Sequence, residues 1–184
     1  MIRLRSTTKY IAERTQMDYL NEIKRCTITK DIPQLYIGGE RFGPYEKKFQ
    51  VDLPMWAIET LRKHDYVELV QEEDTISLVQ LQKILRTEEN SSKLQTFDPF
   101  LYSAIKRRIL NLQSDKSLLD PRLYDEIEKI ERVTPLLLQS RLTKIIQVAR
   151  SGAFDFQKNM TFEEKWLCQE LVDLLSEWEN SLFR

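Results

Sequence analysis

A chain of 184 residues with 41% hydrophobic content carries enough apolar side chain for one or two real cores, which excludes a disordered tail or linker. Its 28 Lys and Arg against 29 Asp and Glu leave a net charge of −1, so no global attraction draws it to nucleic acid or to an anionic membrane. Two cysteines far apart in sequence, Cys26 and Cys168, and a single histidine, His64, permit no zinc spacing and suit a reducing compartment better than a disulfide scaffold.

The start, Met1-Ile2-Arg3-Leu4-Arg5, turns polar at once instead of running on as the apolar core of a signal peptide, and no segment approaches the ~20 apolar residues that span a bilayer. The expectation is a soluble cytoplasmic protein. Within the first 20 residues Tyr10, Ile11 and Arg14 fit a helix start as well as a loose arm. Ile23 to Ile28 alternates in part between apolar and polar side chains and reads as a strand ahead of Asp31-Ile32-Pro33. Leu35-Tyr36-Ile37 is a short apolar strand, ended by Gly38-Gly39, which supply the positive φ of a tight turn. Gly43-Pro44 is a second break. Pro54 then sits where its fixed φ suits the first turn of a helix through Met55, Trp56, Ile58 and Leu61, and Tyr66 to Val70 reads as a closing strand.

Glycine usage divides the chain: three of the four glycines precede residue 44, and beyond Thr75 only Gly152 remains. With a boundary near Gln71-Glu72-Glu73-Asp74, the fold class is α+β, predominantly α. A small β-rich domain with an N-terminal arm occupies 1–73, and a helical bundle occupies 74–184. Ile76 to Leu85 outlines a short helix stopping at Glu88-Glu89-Asn90-Ser91-Ser92, read as a solvated linker that reaches Gln95. Asp98-Pro99, Asp120-Pro121 and Thr134-Pro135 each repeat a cap-plus-proline start, giving three helices, of which the third ends at Gly152. Thr161-Phe162-Glu163-Glu164 has capping-box spacing and opens a last helix through Leu167, Leu171, Leu174, Leu175, Trp178 and Leu182.

No catalytic constellation can be assembled. His64 lies at a helix C-terminus, where a favourable dipole contact explains it better than base catalysis. Gly38 to Gly43 lacks the Lys-Ser/Thr end of a phosphate loop, and carboxylates such as Glu126, Glu128 and Glu131 fall in solvated runs. The chain is therefore expected to be no enzyme and to need no metal or cofactor. What stands out is a wide apolar face on the last helix. Trp56, Trp166, Leu171, Leu175, Trp178 and Phe183 are the expected protein-docking residues, since aromatics at interfaces carry large contact area.

A rival reading is a partner-independent DNA-binding module. Lys106, Arg107 and Arg108 spread over about 200° of a helix, so only part of the set can face one ligand. Arg107 and Arg108 could meet Arg141, Lys144 and Arg150 of the next helix in a shared basic stripe. Two to four phosphate contacts would give weak binding, with a salt slope of about −0.9 per contact on duplex DNA.

The order Ile-Gly-Gly at 37–39, Gly-Pro-Tyr at 43–45, then Val-x-Leu-Pro-x-Trp-Ala at 51–57 resembles the small β-rich domain of GINS subunits, the replication-fork assembly factor of archaea and eukaryotes. Ser140 to Ile146 with Ala149-Arg150-Ser151-Gly152, and the helix opening at Thr161, resemble the end of GINS helical domains. The β-rich domain stands first, which resembles the archaeal subunit equivalent to the second and third eukaryotic partners. The resemblance implies a non-catalytic scaffold in a 2:2 heterotetramer with a sister subunit of opposite domain order. It implies partners in the hexameric MCM helicase and a RecJ/Cdc45-like protein, and a place at the nucleoid in archaea or in the nucleus of eukaryotes. No family active-site residue carries over.

Overall fold

The computed structural model describes residues 2–70, 76–114, 121–152 and 154–183. The chain divides into two compact units, residues 16–74 and residues 1–15 together with 75–184. The first helix, α1 (Ile2–Asn21), settles the choice between helix and loose arm. Its first fourteen residues, 2–15, group with the helical unit and not, as the sequence suggested, with the strands; a helix satisfies its backbone internally and offers the sheet no ladder. The expected boundary residues Glu72, Glu73 and Asp74 lie outside the described residues, as does Asp120.

In the β-rich unit, β1 (Ile23–Ile28) is the central strand of an antiparallel sheet of order β4-β1-β5, with β4 (Gln50–Pro54) and β5 (Val67–Leu69) on its flanks. β2 (Leu35–Ile37) and β3 (Glu40–Phe42) form a separate hairpin around Gly38 and Gly39, at φ 62° and 90°. Alternate residues of the sheet, Cys26, Ile28, Leu53 and Val67, join Ala57, Ile58 and Leu61 of α2 (Met55–Arg62) in one core. Pro54 holds φ −65° at the N-cap of α2, the geometry its ring imposes. Burial pushes the Cys26 thiol up to about 11, with the nearby Asp52 charge adding to it, so the group stays a neutral core thiol.

Two pieces of the sequence pattern meet here. A Cβ on Gly38 would lie 3.2 Å from the Trp56 ring, and that ring stands edge-on to Phe42 with centroids 5.7 Å apart. Trp56 thus clamps the hairpin onto α2, and its ring is partly buried against the core.

The helical unit contains α3 (Leu78–Glu89), α4 (Leu101–Ser114), α5 (Pro121–Ser151), a 3-10 turn (Phe154–Asn159) and α6 (Phe162–Phe183). Ser77 and Gln80 form a capping box on α3, and Thr161 and Glu164 one on α6. Gly152, at φ 65°, stops α5 with its N–H on the Val148 carbonyl. Thr134-Pro135 does not start a helix: α5 runs straight through it for 31 residues. The proline leaves the Glu131 carbonyl without its helical donor, but Glu131 is exposed to water, while Ile130 and Leu137 on either side are buried and hold the helix in place. The expected linker from Glu88 to Gln95 is not solvated either, since Glu88 lies in the last turn of α3 and is fully enclosed, and Leu94 belongs to a core with Ile145, Val148, Met160 and Cys168.

Two outcomes follow for stability. Replacing Pro135 by Ala restores the Glu131 bond and should stabilise the chain by about 1–2 kcal/mol in urea denaturation, the helix gain exceeding the lost unfolded-state restriction. Gly43→Ala should destabilise by about 1–3 kcal/mol, because its Cβ would stand 2.9 Å from the Pro33 carbonyl oxygen at φ 79°.

Candidate partner-docking surface

The docking surface is held by an ion cluster inside the helical unit. Leu137, Arg141 and Ile145 recur at four-residue spacing on the buried face of α5, so the Arg141 side chain enters the interior with its apolar neighbours. Its Nε donates to Glu164 Oε1 at 2.9 Å, and its two terminal nitrogens donate to Glu88 Oε2 at 3.2 Å and Glu164 Oε2 at 2.5 Å. The same nitrogens reach the carbonyls of Gln95 at 2.8 Å and Asn159 at 2.9 Å. Phe97 covers the guanidinium, its ring centre 4.5 Å away. Lys144 donates to both the side chain and the carbonyl of Glu88. Burial works to lower the Arg141 pKa, but the hydrogen bonds and charges of Glu164 and Glu88 outweigh it and hold the group protonated. Tyr102 donates to Glu164, and burial followed by that carboxylate pushes its phenol far above the usual range, so it remains a neutral donor.

With α5, α6 and the turn between them fixed this way, the apolar residues of α6 separate into two sets. Leu171 and Leu175 pack against the core of Leu94, Ile145, Val148 and Cys168. Leu174, Trp178 and Leu182 recur every four residues beside that pair and are 58, 57 and 59% exposed, and every described side chain of α6 beyond Leu175 is exposed as well. Leu138, Leu142 and Ile146 make a second such row on α5, also exposed. Rows of this kind are what a partner covers, since each large apolar side chain removed from water contributes about 1.5–3 kcal/mol.

The expected docking residues therefore divide. Trp178 is open, Trp166 is half-buried, and Leu171, Leu175 and Trp56 serve the cores of their own units; the Phe183 side chain lies outside the described residues. Sequence reasoning missed Leu138, Leu142 and Ile146, although their four-residue spacing carries the signal. The basic stripe does not form. Arg141 is 1% exposed, Lys144 is committed to Glu88, and Arg108 pairs with Glu126 at 2.8 Å. Arg107 is half-buried with its Nε enclosed, which leaves Arg150 as the exposed member of the five. The reason is periodicity: Arg141 and Lys144 share the inward face of α5, where carboxylates await them.

Among the described residues no cluster of His, Cys, Asp or Glu is placed to hold a metal, and no helix is long and apolar enough to cross a membrane. Residues 76–183 match Sld5, the GINS complex protein helical bundle domain, over more than half of the chain and nearly all of the bundle just described. The chain belongs to the GINS family. No curated protein matches it significantly. GINS proteins are non-catalytic components of a DNA replication complex, and membership carries assembly with other GINS subunits. In this GINS subunit the exposed rows of α5 and α6 both fall within the matched bundle, whereas the strand-bearing unit lies outside the match.

Removing Arg141 would leave Glu164 a buried charge with no cation beside it and Glu88 with Lys144 alone. Arg141→Ala should destabilise the subunit by about 3–5 kcal/mol in chemical denaturation, and Arg141→Lys should recover only part of that loss, because an ammonium cannot reproduce the planar fork.

Proposed function

We propose that this GINS subunit is a scaffold that docks a sister subunit through the open row Leu174, Trp178 and Leu182 of α6, with Leu138, Leu142 and Ile146 of α5 extending the contact. The observation that carries the reading is that exposed row, within a domain of a family that works by assembly. In the proposed assembly two copies join two sister chains of opposite domain order, and the complex bridges the hexameric MCM helicase and a RecJ/Cdc45-like protein at the replication fork. The β-rich domain standing first supports equivalence to the archaeal subunit related to the second and third eukaryotic partners. Direct DNA binding has no role in this reading, because Arg141 and Lys144 hold the bundle together and Arg108 pairs with Glu126.

Multi-angle light scattering of the chain with its sister subunit tests the proposal. The mixture should elute as a 2:2 complex. Trp178→Glu should weaken association at least ten-fold, the scale of an interfacial Trp, while the melting curve of the isolated chain stays within about 0.5 kcal/mol of the parent because the ring is open to solvent. Undiminished association of Trp178→Glu would remove α6 from the interface, and a chain that ignores its sister would end the scaffold reading.

A further inference from the structure

The three-stranded sheet ends in two edges that differ. Along β1 and β4 the Met55 N–H donates to the Glu22 carbonyl and the Ile28 N–H to the Phe49 carbonyl, which makes Lys24–Leu53 and Cys26–Val51 the hydrogen-bonded pairs between them. Gln50 and Asp52 consequently turn their N–H and C=O groups away from β1, and among the described residues nothing bonds to those groups. Both residues are exposed. On the far edge Val67 and Leu69 also face outward, but Val67 is 1% exposed and Leu69 half-buried, so that edge is the less accessible of the two. The β4 edge is thus an open row of backbone donors and acceptors, the kind a second strand extends.

We propose that the β4 edge is a strand-addition site for an extended segment of another protein that places a Lys or Arg beside Asp52. A second copy of this chain is the poorer occupant. Antiparallel self-pairing centred on Asp52 sets two carboxylates against each other and puts Gln50 opposite Pro54, which has no N–H to give. A cation suits the site because Asp52 already forms one rung of a cross-strand ladder with Arg25, Nε to Oδ1 2.9 Å, on the solvent face. The hydrogen bond from Arg25 holds the Asp52 carboxyl below its usual range, so it is ionised at neutral pH. An incoming ammonium or guanidinium continues the alternation of sign; an incoming carboxylate breaks it. Phe49, 60% exposed at one end of β4, and Ile23, 63% exposed on β1 opposite Pro54, supply apolar footing for the flanking residues. The positive φ of Lys48 and the proline at position 54 limit the site to about five residues.

The test uses the isotope-labelled full chain and two probes, the blocked pentapeptides Thr-Val-Lys-Val-Thr and Thr-Val-Glu-Val-Thr at millimolar concentration. In the free chain the Gln50 and Asp52 amides should exchange rapidly with solvent while Val51 and Leu53 are protected. The lysine peptide should shift and protect Gln50 and Asp52, binding about three-fold more tightly than the glutamate peptide. Asp52→Lys should reverse that order; if that variant fails to fold, Asp52→Asn should bind the two peptides equally. Gln50 and Asp52 amides already protected in the monomer would overturn the proposal. So would equal binding of both peptides to the parent chain, or no response at β4. Protection that rises with the chain's own concentration would assign the edge to a second copy and overturn it as well.

Discussion

The helical unit depends on one guanidinium. Arg141 spends its donors on two carboxylates and two backbone carbonyls, and each acceptor comes from a different stretch of chain: α3, the segment after it, the 3-10 turn and the first turn of α6. A charge this deep gains little over a well-packed apolar side chain of similar size, but leaving any partner unmatched is costly. Its contribution is directional: the planar fork has fixed donor directions, and all four segments present acceptors along them.

The arrangement also explains why the two apolar cores of the unit lie one after the other along α5. Ile130 and Leu137 serve a core with α3 and α4, while Ile145, Val148 and Ala149 serve one with α6 and the segment after α3. Arg141 falls between them. Glu164 joins both roles at once, because the oxygen that receives the guanidinium also accepts the Thr161 N–H of the capping box, so the start of α6 and its docking on α5 are set by one side chain.

Much of this was legible in the sequence. The strands at 23–28 and 35–37, the helix after Pro54, the stop at Gly152 and the capping box at Thr161 all follow from local chemistry that tertiary structure had no reason to override. Pro135 misled because a proline start signal competes with burial on both sides of it, and burial prevailed. Glu88 and Arg141 misled for a related reason: charged side chains are usually solvated, and only the spacing of Leu137, Arg141 and Ile145 hints that one of them faces inward. The partner carboxylates stand 53 residues before and 23 after Arg141, beyond the reach of any periodicity argument. The open row on α6 was visible as an apolar stripe, but its division into a covered part and an uncovered part further along the helix required the neighbouring helix to be in place.

The contact between Gly38 and Trp56 turns a sequence signature into a statement about inheritance. With the hairpin backbone seated on the indole ring, the two positions constrain each other: a side chain at 38 would press on the ring at 3.2 Å as well as strain a φ of 62°, and a smaller ring at 56 would open a void beneath the turn. Drift at either site alone is therefore selected against wherever this hairpin is kept. The two halves of the pattern, separated by seventeen positions, should persist or vanish as a unit across lineages.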